Sequence, residues 1–133
     1  YREEEREMLP LCRAEGVGFI PWSPLARGRL TRSWDETTER QENDEFGKML
    51  FGKSLEADRP VIERVAAIAK ARGVPRAQVA LAWVLQKPGV TAPIIGASRL
   101  EHFDDAVASL ALKLAPEEIA SLEQPYATRP VWG

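Results

Sequence analysis

Cysteine and histidine each occur once in the 133 residues, as Cys12 and His102. A lone cysteine closes no intramolecular disulfide and builds no cysteine-based zinc site; it fits a reducing compartment, so a cytoplasmic location is expected. A single histidine excludes a histidine-rich metal cluster. A dominant charge is also missing: 18 Lys and Arg face 20 Asp and Glu, for a formal net charge of -2. That balance offers no global field for a nucleic-acid partner. No apolar run approaches the roughly 20 residues that cross a bilayer, so no membrane partner is expected. The acidic opening from Arg2 to Glu7 is the reverse of a secretory leader. The sequence begins at Tyr1 and enters a helical pattern at once, which reads as the back part of a longer protein.

What is present suits one folded domain: 44% hydrophobic and 29% charged residues exclude a disordered chain. Residues 3–15 predict a helix stopped by Gly16, with Pro10 forcing either a start near Met8 or a kink. The apolar run 17–22 predicts a strand buried on both faces, as parallel strands are. Residues 23–57 show no sustained period; a connection far beyond the usual ~4–6 residues is either functional or disordered. Asp58 reads as an N-cap with Pro60 in the first turn, opening a helix that runs to Gly73. Pro75 opens a second helix through Gln86, apolar almost all round and therefore buried. Residues 90–95 predict another strand. Leu100, Phe103, Val107 and Leu110 then mark an amphipathic helix, and a last helix runs from Pro116 to Gln124.

A strand, a long crossover and a second strand imply a parallel pair with a right-handed connection. Two parallel strands alone would leave both outer edges unpaired, so further strands are expected upstream. The fold class is α/β, and both a (β/α)8 barrel and a doubly wound sheet would supply those strands.

In such folds the C-terminal ends of strands face the ligand. The first exit holds Trp22, Ser23, Pro24, Leu25, Ala26, Arg27 and Gly28. Its indole plane can stack on a heteroaromatic ring, while Leu25, Arg27 and their backbone amides can hold a diphosphate; the alternative is a core tryptophan and an ordinary turn. The second exit passes through Gly96, Ala97, Ser98 and Arg99 into a helix. Free N–H groups at a helix start favour an anion, Ser98 adds a hydroxyl and Arg99 a guanidinium fork. The plainer reading makes Ser98 the N-cap of a simple turn. His102 and Asp105 share a helix face with Ser98, with Ala106 beside them, so a ligand at the helix start could reach them; alone, His102 reads as a solvent-exposed residue. Gly16-Val17-Gly18 precedes its strand and so lacks the logic of a dinucleotide fingerprint. Cys12 reads as packing, and the charge runs as solvated surface.

Three segments in order, Trp22 to Gly28, Gln78 to Leu85 and Pro93 to Arg99, with a tail from Leu114 through Tyr126 to Val131, resemble the aldo-keto reductases over essentially the whole chain. The resemblance is to the bacterial branch that also resembles the β subunits of voltage-gated potassium channels. It implies the C-terminal portion of a (β/α)8 TIM barrel, with 17–22 and 90–95 as the seventh and eighth strands. All of 1–133 would be a single partial domain. Residues 23–57 would be the long loop over cofactor and substrate, and 60–72 an extra helix outside the barrel. The implied activity is NADPH-dependent reduction of an aldehyde or ketone. Trp22, Ser23, Pro24, Leu25, Ala26 and Arg27 would line the nicotinamide end and the pyrophosphate. Gly96, Ser98 and Arg99 would grip the 2′-phosphate, with His102, Asp105 and Ala106 on the adenine side.

Where many relatives carry Gln or Arg this chain has His102, and where they carry Asn it has Ala106, which removes an amide contact to adenine. The family's catalytic Asp, Tyr, Lys and His come from the front half of the barrel, ahead of Tyr1. No catalytic residue is therefore assigned here, the missing N-terminal half of the barrel is an expected partner, and the chain alone is expected to be inactive. Two rival readings remain: a nucleotide-sensing barrel of the channel-subunit type, and another phosphate-binding barrel enzyme.

Overall fold

The structure, a computed structural model, describes residues 1–36, 43–52 and 55–128. Its helices are α1 (Met8–Ala14), α2 (Glu45–Phe51), α3 (Leu55–Arg72), α4 (Arg76–Leu85), α5 (Leu100–Ala108) and α6 (Pro116–Glu123), with 3-10 turns at Glu3–Glu5 and Ala26–Thr31. Pro10 explains the late start of α1. It falls in the first turn, where a backbone N–H has no intrahelical acceptor and its loss costs nothing. Gly16 stops the helix at φ +65°, while Val17 N–H reaches back to Cys12 O at 2.8 Å. Gly73 repeats the motif after α3, with Val74 N–H on Ala69 O at 3.0 Å.

The core forms where α3, α4 and α6 meet. Val65, Ile68 and Ala69 of α3 pack with Val79 and Ala82 of α4 and with Leu114 and Leu122, and Trp83 and Ile119 close the margin. As its composition predicts, α4 buries Val79 through Ala82 and Val84. The helix expected from Asp58 starts a turn earlier, at Leu55. Pro60 lies inside it, in the second turn, where the missing N–H gives up one intrahelical hydrogen bond.

Two expectations need correction. Residues 17–22 and 90–95 run parallel, bridged at Phe19–Val90 and Trp22–Ile94, but no continuous strand forms among the described residues. Two backbone bonds join them, Thr91 N–H to Phe19 O and Ile94 N–H to Pro21 O, both at 2.8 Å. Pro21 and Pro93 have no N–H to give, and Phe19 N–H goes to the Thr91 hydroxyl at 3.0 Å instead of a carbonyl. Nor are these segments buried on both faces, since Val17, Ile20, Trp22 and Ile94 are exposed.

The apolar stripe of α5 is exposed as well, with Leu100 at 72% and Leu110 at 62% of full accessibility and Phe103 and Val107 near half. The opposite side of the helix faces the protein. Ser109 is buried with its hydroxyl donating to Ala106 O at 2.6 Å, and Gln78 of α4 donates to Asp105 at 2.8 Å. The described residues put only this small, polar side against α4, so the apolar side stays open to water.

Candidate functional site

Parallel register fixes the geometry of the site. Trp22 lies opposite Ile94, so the two exits leave from the same end of the pair: Ser23 to Gly28 after the first segment, Gly96 to Arg99 after the second.

The first exit is a tight, left-handed loop. Ser23, Ala26 and Arg27 have φ of 52°, 48° and 56°, values that side-chain-bearing residues rarely adopt. Each costs about 1–3 kcal/mol and persists only where its surroundings impose it. Ala26 N–H on Ser23 O and Gly28 N–H on Leu25 O, both at 2.9 Å, hold the turn, and the Thr31 hydroxyl ties onto Gly28 O. Leu25, near the right-handed region at φ -99° and ψ 14°, is followed by left-handed Ala26. That succession bends the chain sharply, with Ala26 N–H taken up inside the turn by Ser23 O. Pro24, Leu25 and Ala26 are half-buried, whereas Trp22 leaves 58% of its surface open.

Arg27 is committed elsewhere. Its guanidinium grips Asp44 with two hydrogen bonds, Nε to Oδ2 at 2.5 Å and Nη2 to Oδ1 at 2.8 Å. Asp44 also caps α2 by accepting Gly47 N–H at 2.9 Å. The hydrogen bonds that Arg27 donates to the Asp44 carboxylate hold its pKa above the ordinary value. Through this pair α2 lies against the first exit, with Phe46 6.3 Å from Trp22 between ring centres and Arg27 5.6 Å above the Phe46 ring.

At the second exit the side chains are open. Gly96, Ser98, Arg99 and His102 are exposed. A Cβ at Gly96 would meet empty space, so no contact within the described chain demands a glycine there. Arg99, not Ser98, occupies the N-cap position of α5, and no side chain caps the helix; the N–H groups of its first turn thus have no side-chain acceptor. Ser98 Oγ lies 3.4 Å from His102 Nδ1. Asp105 shares their side of the helix in the sequence reading, yet its carboxylate is turned to Gln78, and half-buried Ala106 lies next to it.

Sequence reasoning missed Asp44, Phe46 and Gly47, having read 23–57 as an aperiodic connection. The signal was an N-capping aspartate ahead of Phe46, Met49 and Leu50 at helical spacing; Gly47 inside and Gly52 at the end concealed it. Residues 37–42 and 53–54 of that connection, and Val131 of the tail, lie outside the described residues. Among the described residues no acidic, cysteine or histidine cluster could hold a metal, and no helix is long and apolar enough to cross a membrane.

Comparison with known proteins decides the family: the aldo/keto reductase model matches residues 1–127. The chain belongs to the aldo/keto reductase family. It is 44% identical over 132 residues to a versiconal hemiacetal acetate reductase of Aspergillus parasiticus, covering 98% of this chain and 38% of that protein. A putative aryl-alcohol dehydrogenase of Schizosaccharomyces pombe is 48% identical over 136 residues, covering 100% of this chain and 40% of the relative. The crystal structure of a thermostable aldo-keto reductase in complex with the inhibitor epalrestat superposes with a TM-score of 0.64 at 28% identity, over 94% of this chain and 36% of that one. The chain thus spans about two-fifths of the relatives' length, and its architecture is that of part of a TIM barrel. Aldo/keto reductases generally use nicotinamide cofactors and act on small carbonyl compounds.

Proposed function

We propose that this chain supplies the cofactor-gripping part of an NADPH-dependent aldo-keto reductase that reduces an aldehyde or ketone to the alcohol. The observation that carries the reading is the parallel pairing of Trp22 with Ile94, which opens both exits onto one end of the fold. On this reading 17–22 and 90–95 are the seventh and eighth barrel strands, 23–57 is the loop over the site, and 60–72 lies outside the barrel. The exposed apolar surface of Ile20, Ile94, Leu100 and Phe103 is then the ground on which the N-terminal half of the barrel rests.

The residues present fit a dinucleotide. Trp22 offers an open aromatic face, and the tight turn from Leu25 to Arg27 would lie along the pyrophosphate. Gly96 leaves room for close approach, while Ser98, exposed Arg99 and the uncapped start of α5 present donors suited to the 2′-phosphate. His102 is available to the adenine side; Asp105 would reach it only by leaving Gln78. Bound there, the cofactor supplies the hydride. Ser23, Pro24 and the strained turn fix the pocket wall, and the backbone conformation of Arg27 shapes it while its side chain holds α2. The acid that protonates the carbonyl oxygen needs a tuned pKa, and no residue of this chain is assigned that role.

The test is NADPH oxidation with 4-nitrobenzaldehyde, comparing the protein expressed from its complete gene with the 133-residue chain alone. The complete protein is expected to turn over and the 133-residue chain is not. Turnover by the short chain would refute the division of labour, and inactivity of the complete protein would refute the reductase reading.

A further inference from the structure

We propose, building on the cofactor reading above, that Gln78 is a positioning residue that sets the preference for NADPH over NADH by holding the Asp105 carboxylate away from the 2′-phosphate.

Ser98, His102 and Asp105 follow one another at helical spacing, and Ser98 Oγ already lies 3.4 Å from His102 Nδ1. An unrestrained carboxylate at 105 would stand one turn beyond His102, facing a ligand held at the start of α5. There it would oppose a phosphate dianion and suit a ribose hydroxyl, since a carboxylate on the 2′-hydroxyl is how dinucleotide sites accept NADH.

The structure holds Asp105 elsewhere. Gln78 Nε2 donates to Asp105 Oδ1 at 2.8 Å, joining α4 to α5 across 27 residues. The backbone fixes both ends of that bond. Gln78 lies in the first turn of α4 with its N–H on Pro75 O at 3.1 Å, and buried Val79 and Ala80 follow it. On α5, Asp105 O accepts the N–H of buried Ser109 at 3.1 Å, and small Ala106 and Ser109 let the two helices approach.

Among the described residues no Lys or Arg forms an ion pair with half-buried Asp105, so a neutral amide decides where its charge points. A cationic partner would have cancelled the charge. An amide leaves it intact and controls only its place, so removing the amide releases a negative group toward the phosphate. Bringing one carboxylate within ~8 Å of a phosphate dianion in water weakens binding about threefold to tenfold.

The experiment uses the protein expressed from its complete gene and measures dissociation constants for NADPH and NADH separately, by tryptophan fluorescence and without turnover. Gln78→Met keeps the bulk of the side chain and removes the donor; it should lower the NADPH-to-NADH affinity ratio about threefold to tenfold. Gln78→Ser, polar but too short to reach Asp105, should lower the ratio likewise and serves if the thioether disturbs folding. Adding Asp105→Asn to Gln78→Met should return the ratio to within about twofold of the unsubstituted protein, because a neutral group at 105 does not repel the phosphate. A merely structural Gln78 would weaken both nucleotides equally and gain nothing from Asp105→Asn. An unchanged ratio in the Gln78 variants, or no rescue by Asp105→Asn, would overturn the proposal. An unsubstituted protein that binds neither nucleotide, or both alike, would instead sink the cofactor reading, and the proposal with it.

Discussion

Trp83 donates its indole N–H to Oε1 of Glu123 at 3.0 Å, and the ammonium of Lys87 binds the same carboxylate oxygen. Arg2 reaches the other oxygen at 3.2 Å and holds Glu5 at 2.7 Å, so the first residues of the chain are tied to α6 and to the end of α4. Because Lys87 lies three residues before Val90, the cluster also steadies the second extended segment. Glu123→Ala would leave the indole N–H without its acceptor and Lys87, whose side chain is only 16% exposed, with Glu5 alone at 3.3 Å, an expected loss of about 1–3 kcal/mol. Urea unfolding of the variant measures it; a midpoint within error of the parent would show the cluster to be ornamental.

Glu118 accepts both arms of the Arg72 fork, at 2.7 and 2.6 Å, and also takes Ala115 N–H at 2.7 Å. The Arg72 hydrogen bonds, followed by the backbone N–H, bring its pKa from 4.5 down to about 2. Since the folded value lies below the unfolded one, the stabilisation is fully present above about pH 4.5 and disappears as pH falls through about 2. Glu5 and Glu123 act in the same direction: burial would raise them, but hydrogen bonds and charge from Arg2 and Lys87, and for Glu123 the Trp83 indole, hold them below the ordinary carboxylate value. Acid titration of the Glu118 carboxyl by NMR should find this low midpoint, and Arg72→Gln should move it back toward 4.5.

If Arg99 grips the 2′-phosphate as proposed, Arg99→Ala should weaken NADPH more than NADH, because a charge-assisted contact of that kind contributes about 1.5–3 kcal/mol, with exposure placing it at the low end. Parallel titrations of the complete protein measure the selectivity. Equal losses for both nucleotides would place Arg99 elsewhere than on that phosphate.

If 23–57 covers the bound cofactor, limited proteolysis of the complete protein should cut first within that segment, and NADPH should slow the cut. Cleavage indifferent to NADPH would make it a passive insertion.

Much of this was legible in the sequence where local chemistry decides the outcome. Gly16 and Gly73 end helices, Pro75 begins one, and the all-round apolar character of α4 foretells its burial. The parallel pairing of 17–22 with 90–95 followed from the long crossover alone. Burial of Ile20 and Leu100 did not follow, because periodicity marks which face seeks cover without supplying the neighbour that covers it. At the site, the two exits could be found from their residue types, but the destination of a side chain could not. Arg27 meets Asp44 across 17 residues and Asp105 meets Gln78 across 27, and both partners compete with any ligand for the same charged group.

The proposal that the two exits share one cofactor pocket is tested most directly by tryptophan fluorescence of the complete protein during titration with NADPH and NADH. NADPH should quench the emission with the tighter affinity, and Trp22→Phe should remove most of that change. No quenching, or equal affinity for the two nucleotides, would contradict a pocket built from the Trp22 loop and the Gly96 to Arg99 turn.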